Sequence, residues 1–173
     1  MKTLKIMMAS AMMLLGITAK AQFVKAEIQV SGLTCSMCQL ATEKAIKTLN
    51  FVSDIKPDLN KNIFIITFKK DKPVQLDLIK KKVKDSGFSV SKLVAIFNFD
   101  QLKVKEDFHF DYAGSKYHFM DVPEKTLDGP VRITVLDKDF IPGGEFKKRA
   151  ANTTFECYRS GMMGKTRTYH VTL

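Results

Sequence analysis

Tryptophan is absent from this 173-residue chain, so the thirteen phenylalanines must supply the aromatic part of any core. Acidic side chains are few, 18 against 28 basic ones, and the formal net charge of +10 favours encounters with acidic proteins, anionic membrane surfaces or polyanions. Nucleic acid is not expected as a partner. The basic runs Lys80-Lys81-Lys82 and Lys147-Lys148-Arg149 read as solvated faces, and no aromatic-rich nucleic-acid motif accompanies them. No nucleophile elbow, phosphate-binding glycine loop or glycosidase-like carboxylate pair is present, which argues against an enzyme. No Gly/Ser-rich linker divides the chain. Cysteine is scarce and odd in number, at three.

The first residues read as an export signal. Lys2 and Lys5 form a basic start, Ile6 to Ile17 an apolar stretch, and Ala19-Lys20-Ala21 a small-residue site, so residues 1–21 read as a secretory signal cleaved before Gln22. The apolar stretch is shorter than the roughly 20 residues that span a bilayer. No cysteine follows it to carry a lipid. The expected address is therefore periplasmic or extracellular, with no stable membrane insertion after signal removal.

Residues 22–96 form the first expected module. Val24, Ala26, Ile28 and Val30 alternate with Lys25, Glu27 and Gln29, the period of a strand with one buried face. Gly32 allows a turn. Met37, Leu40, Ala41, Ala45, Ile46 and Leu49 then follow at helical spacing. Val52 to Lys56 and Ile63 to Lys69 read as strands around a turn, Leu76, Ile79 and Val83 as a helix stopped by Ser86-Gly87, and Phe88 to Ile96 as a fourth strand. The order is βαββαβ, which predicts a four-stranded sheet with both helices on one face.

Cys35 and Cys38 fall in the loop and first turn that lead into the first helix. A helix N-terminus favours thiolate over thiol, and the thiolate is the nucleophile and the metal ligand. Two soft donors without a nearby histidine suit a soft, two-coordinate ion, whereas structural zinc takes four ligands. In an exported protein the same pair can instead form a disulfide, inert or redox-active.

The stretch Gly32-Leu33-Thr34-Cys35-Ser36-Met37-Cys38, in its βαββαβ setting, resembles the Gly-Met-Thr-Cys-x-x-Cys motif of the heavy-metal-associated domain. Copper chaperones, the N-terminal domains of copper-transporting ATPases and periplasmic mercury-binding proteins share that ferredoxin-like domain, and the resemblance covers residues 23–95. Leu33 replaces the usual methionine, a volume-conserving change. The resemblance implies Cu(I) held by Cys35 and Cys38, Gly32 and Thr34 supporting the loop, and Phe88 shielding the metal. Hg(II), or another soft metal, is the alternative cargo.

Residues 97–173 resemble no family. Phe108 to Tyr112 and Lys116 to Val122 alternate as a hairpin around Ala113-Gly114-Ser115, and Asp128-Gly129-Pro130 reads as a turn before a strand at Val131 to Leu136. Glu145 to Ala151 is expected to make a helical turn, with closing strands at Thr153 to Tyr158 and Thr166 to Leu173. The overall class is α+β, the second module being a small antiparallel β barrel or sandwich, OB-like as one form. Cys157 is a buried core residue, a third metal ligand or a dimer-forming thiol. His109 and His118, on the two arms of the hairpin, and Met162 and Met163 are further candidate ligands.

The expected function is that of an exported soft-metal-binding protein that holds Cu(I) on its CxxC thiolate pair and transfers it to a partner in the cell envelope. A mercury scavenger is one alternative. The other is an interaction scaffold with an oxidised cysteine pair, in which the β module is the working part.

Overall fold

A computed structural model describes residues 22–58, 61 and 63–173, so the expected signal segment lies outside the described residues. Strand β1 (Gln22–Ser31) carries the expected alternation with a slip at its start. A bulge between Phe23 and Lys25 changes the phase, so that Phe23, not Val24, enters the core ahead of Ala26, Ile28 and Val30. Helix α1 (Ser36–Lys47) buries Ile46 as expected but departs from expectation in burying Thr42 as well. Met37 and Leu40 are exposed. Thr42 tolerates burial because its hydroxyl donates to the Cys38 carbonyl at 3.0 Å.

Strands β2 (Val52–Asp58) and β3 (Ile63–Phe68), helix α2 (Leu76–Asp85) and strand β4 (Ser89–Val104) complete the βαββαβ unit. β1 lies between β3 and β4, antiparallel to both, and β2 pairs with β3, which is the ferredoxin-like order. Helix α2 buries Leu76, Ile79 and Val83, one apolar stripe at spacings of three and four.

β4 continues well past the fourth ferredoxin strand, to 16 residues. Its first part pairs with β1, and its second with β7 (Lys125–Val135). The hairpin of β5 (His109–Tyr112) and β6 (Ser115–Phe119) forms as expected. Asp128-Gly129-Pro130, however, lies inside β7. Gly129, at φ +68°, and Gln101, at φ +47°, take up an irregularity where the β4–β7 register shifts between Phe99 and Leu102. Residues that read as a turn therefore make a bulge, and Pro130 sits where its missing N–H is tolerated.

Helices α3 (Gly143–Asn152) and α4 (Glu156–Ser160) follow, then β8 (Met162–Met163) and β9 (Thr166–Thr172). The expected strand at 153–158 is a loop and α4 instead. Burial of Tyr158, whose hydroxyl donates to the Leu136 carbonyl at 2.6 Å, outweighs local β propensity. β9 inserts between β7 and β6, antiparallel to the first and parallel to the second. The described strands form one sheet in the order β2-β3-β1-β4-β7-β9-β6-β5, with β8 on β9. That sheet has free edges at β2 and β5 and does not close into a barrel. It stays open because β7, β9, β6 and β5 continue outward from β4, which leaves β5 at the opposite end of the sheet from β2.

The core is continuous across both halves. Phe23 packs on Phe97 with ring centroids 3.9 Å apart, and Phe97 meets Tyr117 at 5.3 Å and Phe110 at 5.6 Å. A smaller cluster of Met120, Leu136 and Tyr158 lies beneath the last helices. Helix α2 has no side-chain cap from Gln75, and the Tyr169 hydroxyl of β9 serves instead. It accepts the Asp77 N–H at 3.2 Å and donates to Asp77 Oδ2 at 3.0 Å. Among the described residues, no helix is long and apolar enough to cross a membrane.

Candidate metal centre

The N-terminal site is built where β1 hands over to α1. Gly32 turns the chain at φ +90°, and an added Cβ would lie an ordinary 3.5 Å from the Phe88 ring. The backbone angle, and not lack of room, is what calls for glycine there. Leu33 and Phe88 are partly buried against the core, while Thr34 is exposed in the loop. Cys35 is the N-cap of α1, extended at φ −130° and ψ 147°. Its sulfur accepts the Cys38 N–H at 3.1 Å, and its carbonyl accepts the Gln39 N–H at 3.1 Å.

Cys35 and Cys38 are joined as a disulfide, with Cα atoms 5.3 Å apart. Cys35 is exposed and Cys38 half-buried, beside Met37 at 73% exposure. The first turn of α1 carries no acidic side chain, so the positive end of the helix dipole acts on the sulfurs without competition from a local carboxylate. Reduction of this pair yields two thiols at a helix N-terminus, one of them facing solvent. Such an arrangement could take up a soft ion from outside and leave room for an incoming ligand.

The heavy-metal-associated domain matches residues 27–89. The copper chaperone CopZ of Staphylococcus haemolyticus (strain JCSC1435) is 32% identical over 63 residues, which make up 36% of this chain and 91% of that protein. The chain belongs to the heavy-metal-associated domain family. Among solved structures, apo-CopP from Helicobacter pylori is 35% identical, covering 38% of this chain and 97% of its own, with a TM-score of 0.34. Oxidised MerP from Ralstonia metallidurans CH34 is 28% identical, covering 42% and 96%, with a TM-score of 0.34. The heavy-metal-associated match ends at residue 89, where β4 begins.

Beyond that domain, the structure brings several of the remaining candidates together. His109 and His118 are register partners in the hairpin, and their rings stack at 4.1 Å. Cys157, on α4, is a free thiol, and its sulfur faces His118 and not the N-terminal pair. The third histidine, His170 on β9, lies on the other side of that sulfur. Asp137 holds His170 through both its ring and its backbone N–H, and Asp107 stands 3.0 Å from His118 Nε2, at an angle short of a hydrogen bond. The His118 pKa is pushed down to about 4, first by burial and then by His109 and His170 beside it, with Asp107 opposing. Burial likewise raises the Cys157 thiol.

Met162 and Met163 are exposed on β8, paired with Arg167 and Thr166. The sequence reading missed His170, Asp137 and Asp107. The alternation of β9 places His170 on a strand, but only the parallel pairing of β9 with β6 sets it opposite His118.

Proposed function

We propose that the chain is an exported, non-enzymatic carrier that takes Cu(I) as cargo on reduced Cys35 and Cys38 and exchanges it with a donor or acceptor protein of the cell envelope. The observation that carries this reading is the cysteine pair at the N-terminus of α1, with Cys35 exposed. It occurs within a stretch whose relative, nearly all of which is covered, is a copper chaperone. An ion on two thiolates leaves a coordination position into which a partner thiolate can enter before one of the original two departs. Hg(II) suits the same two donors, so mercury scavenging is the variant of this reading that differs only in cargo.

The test is anaerobic Cu(I) titration against a competing chelator, with the reduced protein beside its Cys35→Ser/Cys38→Ser variant. The expected result is that the variant binds one tightly held equivalent fewer than the native protein. Equal binding by the two proteins, or none by either, refutes the reading. A second reading, an oxidised scaffold, is favoured by the disulfide between Cys35 and Cys38. It predicts two additional thiols on reduction of the native protein and no Cu(I) on Cys35 and Cys38 before reduction.

A further inference from the structure

The third thiol of the chain is held between two buried imidazoles. Cys157 Sγ lies 3.6 Å from His118 Nδ1 and 3.3 Å from His170 Nε2, and the three donor atoms lie within 4.8 Å of one another. His118 and His170 face each other across parallel strands β6 and β9, and both are fully buried. Parallel register turns their side chains to the same side of the sheet, and α4 lays Cys157 against them.

Hydrogen-bond accounting does not close at this sulfur. Asp137 Oδ1 lies 2.9 Å from His170 Nδ1, which places the ring proton there and turns the Nε2 lone pair toward Cys157. Asp107, on the Nε2 side of His118, favours the proton at that atom and leaves the Nδ1 lone pair facing the same sulfur. A thiol has one proton to donate. Two buried lone pairs converge on it.

We propose that His118, Cys157 and His170 form a second metal site, distinct from Cys35 and Cys38, that holds one late first-row transition ion, copper ahead of zinc in affinity, through two imidazole nitrogens and one thiolate. Replacing the S–H proton by a cation satisfies all three donors at once. An ion about 2.3 Å from sulfur and about 2.0–2.1 Å from each nitrogen requires S···N separations of about 3.5–3.8 Å. The observed 3.6 and 3.3 Å are near that range without an ion present.

Asp137, hydrogen-bonded to His170 Nδ1, stands where a carboxylate that orients a metal-bound histidine usually stands, and Asp107 places a second negative charge 3.0 Å from His118 Nε2. Phe155 meets His118 edge-on at 4.7 Å and Tyr158 meets His170 edge-on at 5.1 Å, which walls the site with apolar surface. Cys157 is only half-buried, so an ion and a fourth ligand enter from its side. This donor set is harder than two thiolates and accepts divalent copper or zinc as well as Cu(I). A nucleophilic Cys–His–Asp relay would employ His170 and Asp137 but leave His118 and Asp107 without a role.

The inference does not depend on metal transfer by the N-terminal pair, and its test removes that pair. The reduced Cys35→Ser/Cys38→Ser protein is titrated anaerobically with Co(II), followed by Zn(II) and Cu(II) as competitors. One equivalent of Co(II) should give a thiolate-to-cobalt charge-transfer band, which zinc and then copper displace. Adding Cys157→Ser should abolish that band, and Asp137→Asn should weaken binding about 10- to 100-fold while keeping the spectrum. Far-UV circular dichroism checks that each variant is folded. Zinc should also slow alkylation of Cys157 at least tenfold, a readout that needs no change to the site. The proposal is overturned if the folded protein gives no charge-transfer band or if the band survives Cys157→Ser. Rapid alkylation that saturating zinc leaves untouched also overturns it and marks Cys157 as a nucleophile.

Discussion

Replacing Asp77 by asparagine tests how firmly the two halves are joined. Asp77 lies in the first turn of α2, and its carboxylate receives Arg167 Nε from β9 at 2.8 Å, Lys80 at 3.0 Å and the Tyr169 hydroxyl at 3.0 Å. Burial alone would raise its pKa, but the Arg167 hydrogen bond and charge, with Lys80, bring it down to about 2 from 3.8. A depression of that size corresponds to at most about 2.5 kcal/mol at 1.36 kcal/mol per unit. The side chain is 38% exposed, so solvent screening reduces the net value to about 1–1.5 kcal/mol.

Because the folded pKa lies below the unfolded one, this stability is complete above about pH 4–5 and is lost as the pH falls through about 2. Urea unfolding followed by circular dichroism should therefore place Asp77→Asn about 1–1.5 kcal/mol below the native protein at pH 7, or roughly 2–6 °C lower in Tm. The gap should shrink by at least half near pH 2. Asparagine can still accept from Arg167 and Tyr169, so the difference reports charge. Equal stabilities at pH 7, or a gap that does not change with pH, would refute the reasoning.

Tyr169→Phe removes the borrowed cap of α2 and should cost about 1–2 kcal/mol in thermal or urea unfolding, with Cu(I) stoichiometry unchanged. Gly32→Ala forces a side chain into a left-handed backbone and should cost about 1–2 kcal/mol, with weaker Cu(I) binding in chelator competition. Phe97→Ala opens a cavity in the shared core and should cost about 3–5 kcal/mol. In the native protein, far-UV circular dichroism and tyrosine signals should report the same urea midpoint. All four tyrosines lie at or beyond Tyr112, so separate midpoints would show that the halves unfold independently.

The ferredoxin-like half was legible because its signals are local. Val24 to Ser31 shows strand alternation, Ser86-Gly87 stops a helix, and Cys35 and Cys38 fall at a helix start. The hairpin that pairs His109 with His118 was legible for the same reason, since a short turn sets the register. Where distant residues decide the outcome, the local signals mislead or say nothing. Gly129-Pro130 carries the same chemistry in a turn or a bulge, and pairing with β4 selects the bulge. Met37 and Leu40 have the spacing of a buried face, yet the helix rolls so that Thr42 and Ile46 are inside. Helix α2 has no local cap because Tyr169 provides it from a strand that is remote in sequence. His170 joins His118 only through parallel pairing, for which no short-range pattern exists.

The position of β9 also bears on the order in which the protein assembles. It follows every other described strand in the chain, yet it lies inside the sheet, between β7 and β6. During vectorial synthesis the hairpin of β5 and β6 has no neighbour to join until β9 emerges, and α2 stays uncapped for the same interval. A sheet completed through such non-local pairing forms slowly. The delay leaves the β5–β6 hairpin without its sheet neighbour until the last described strand has been made.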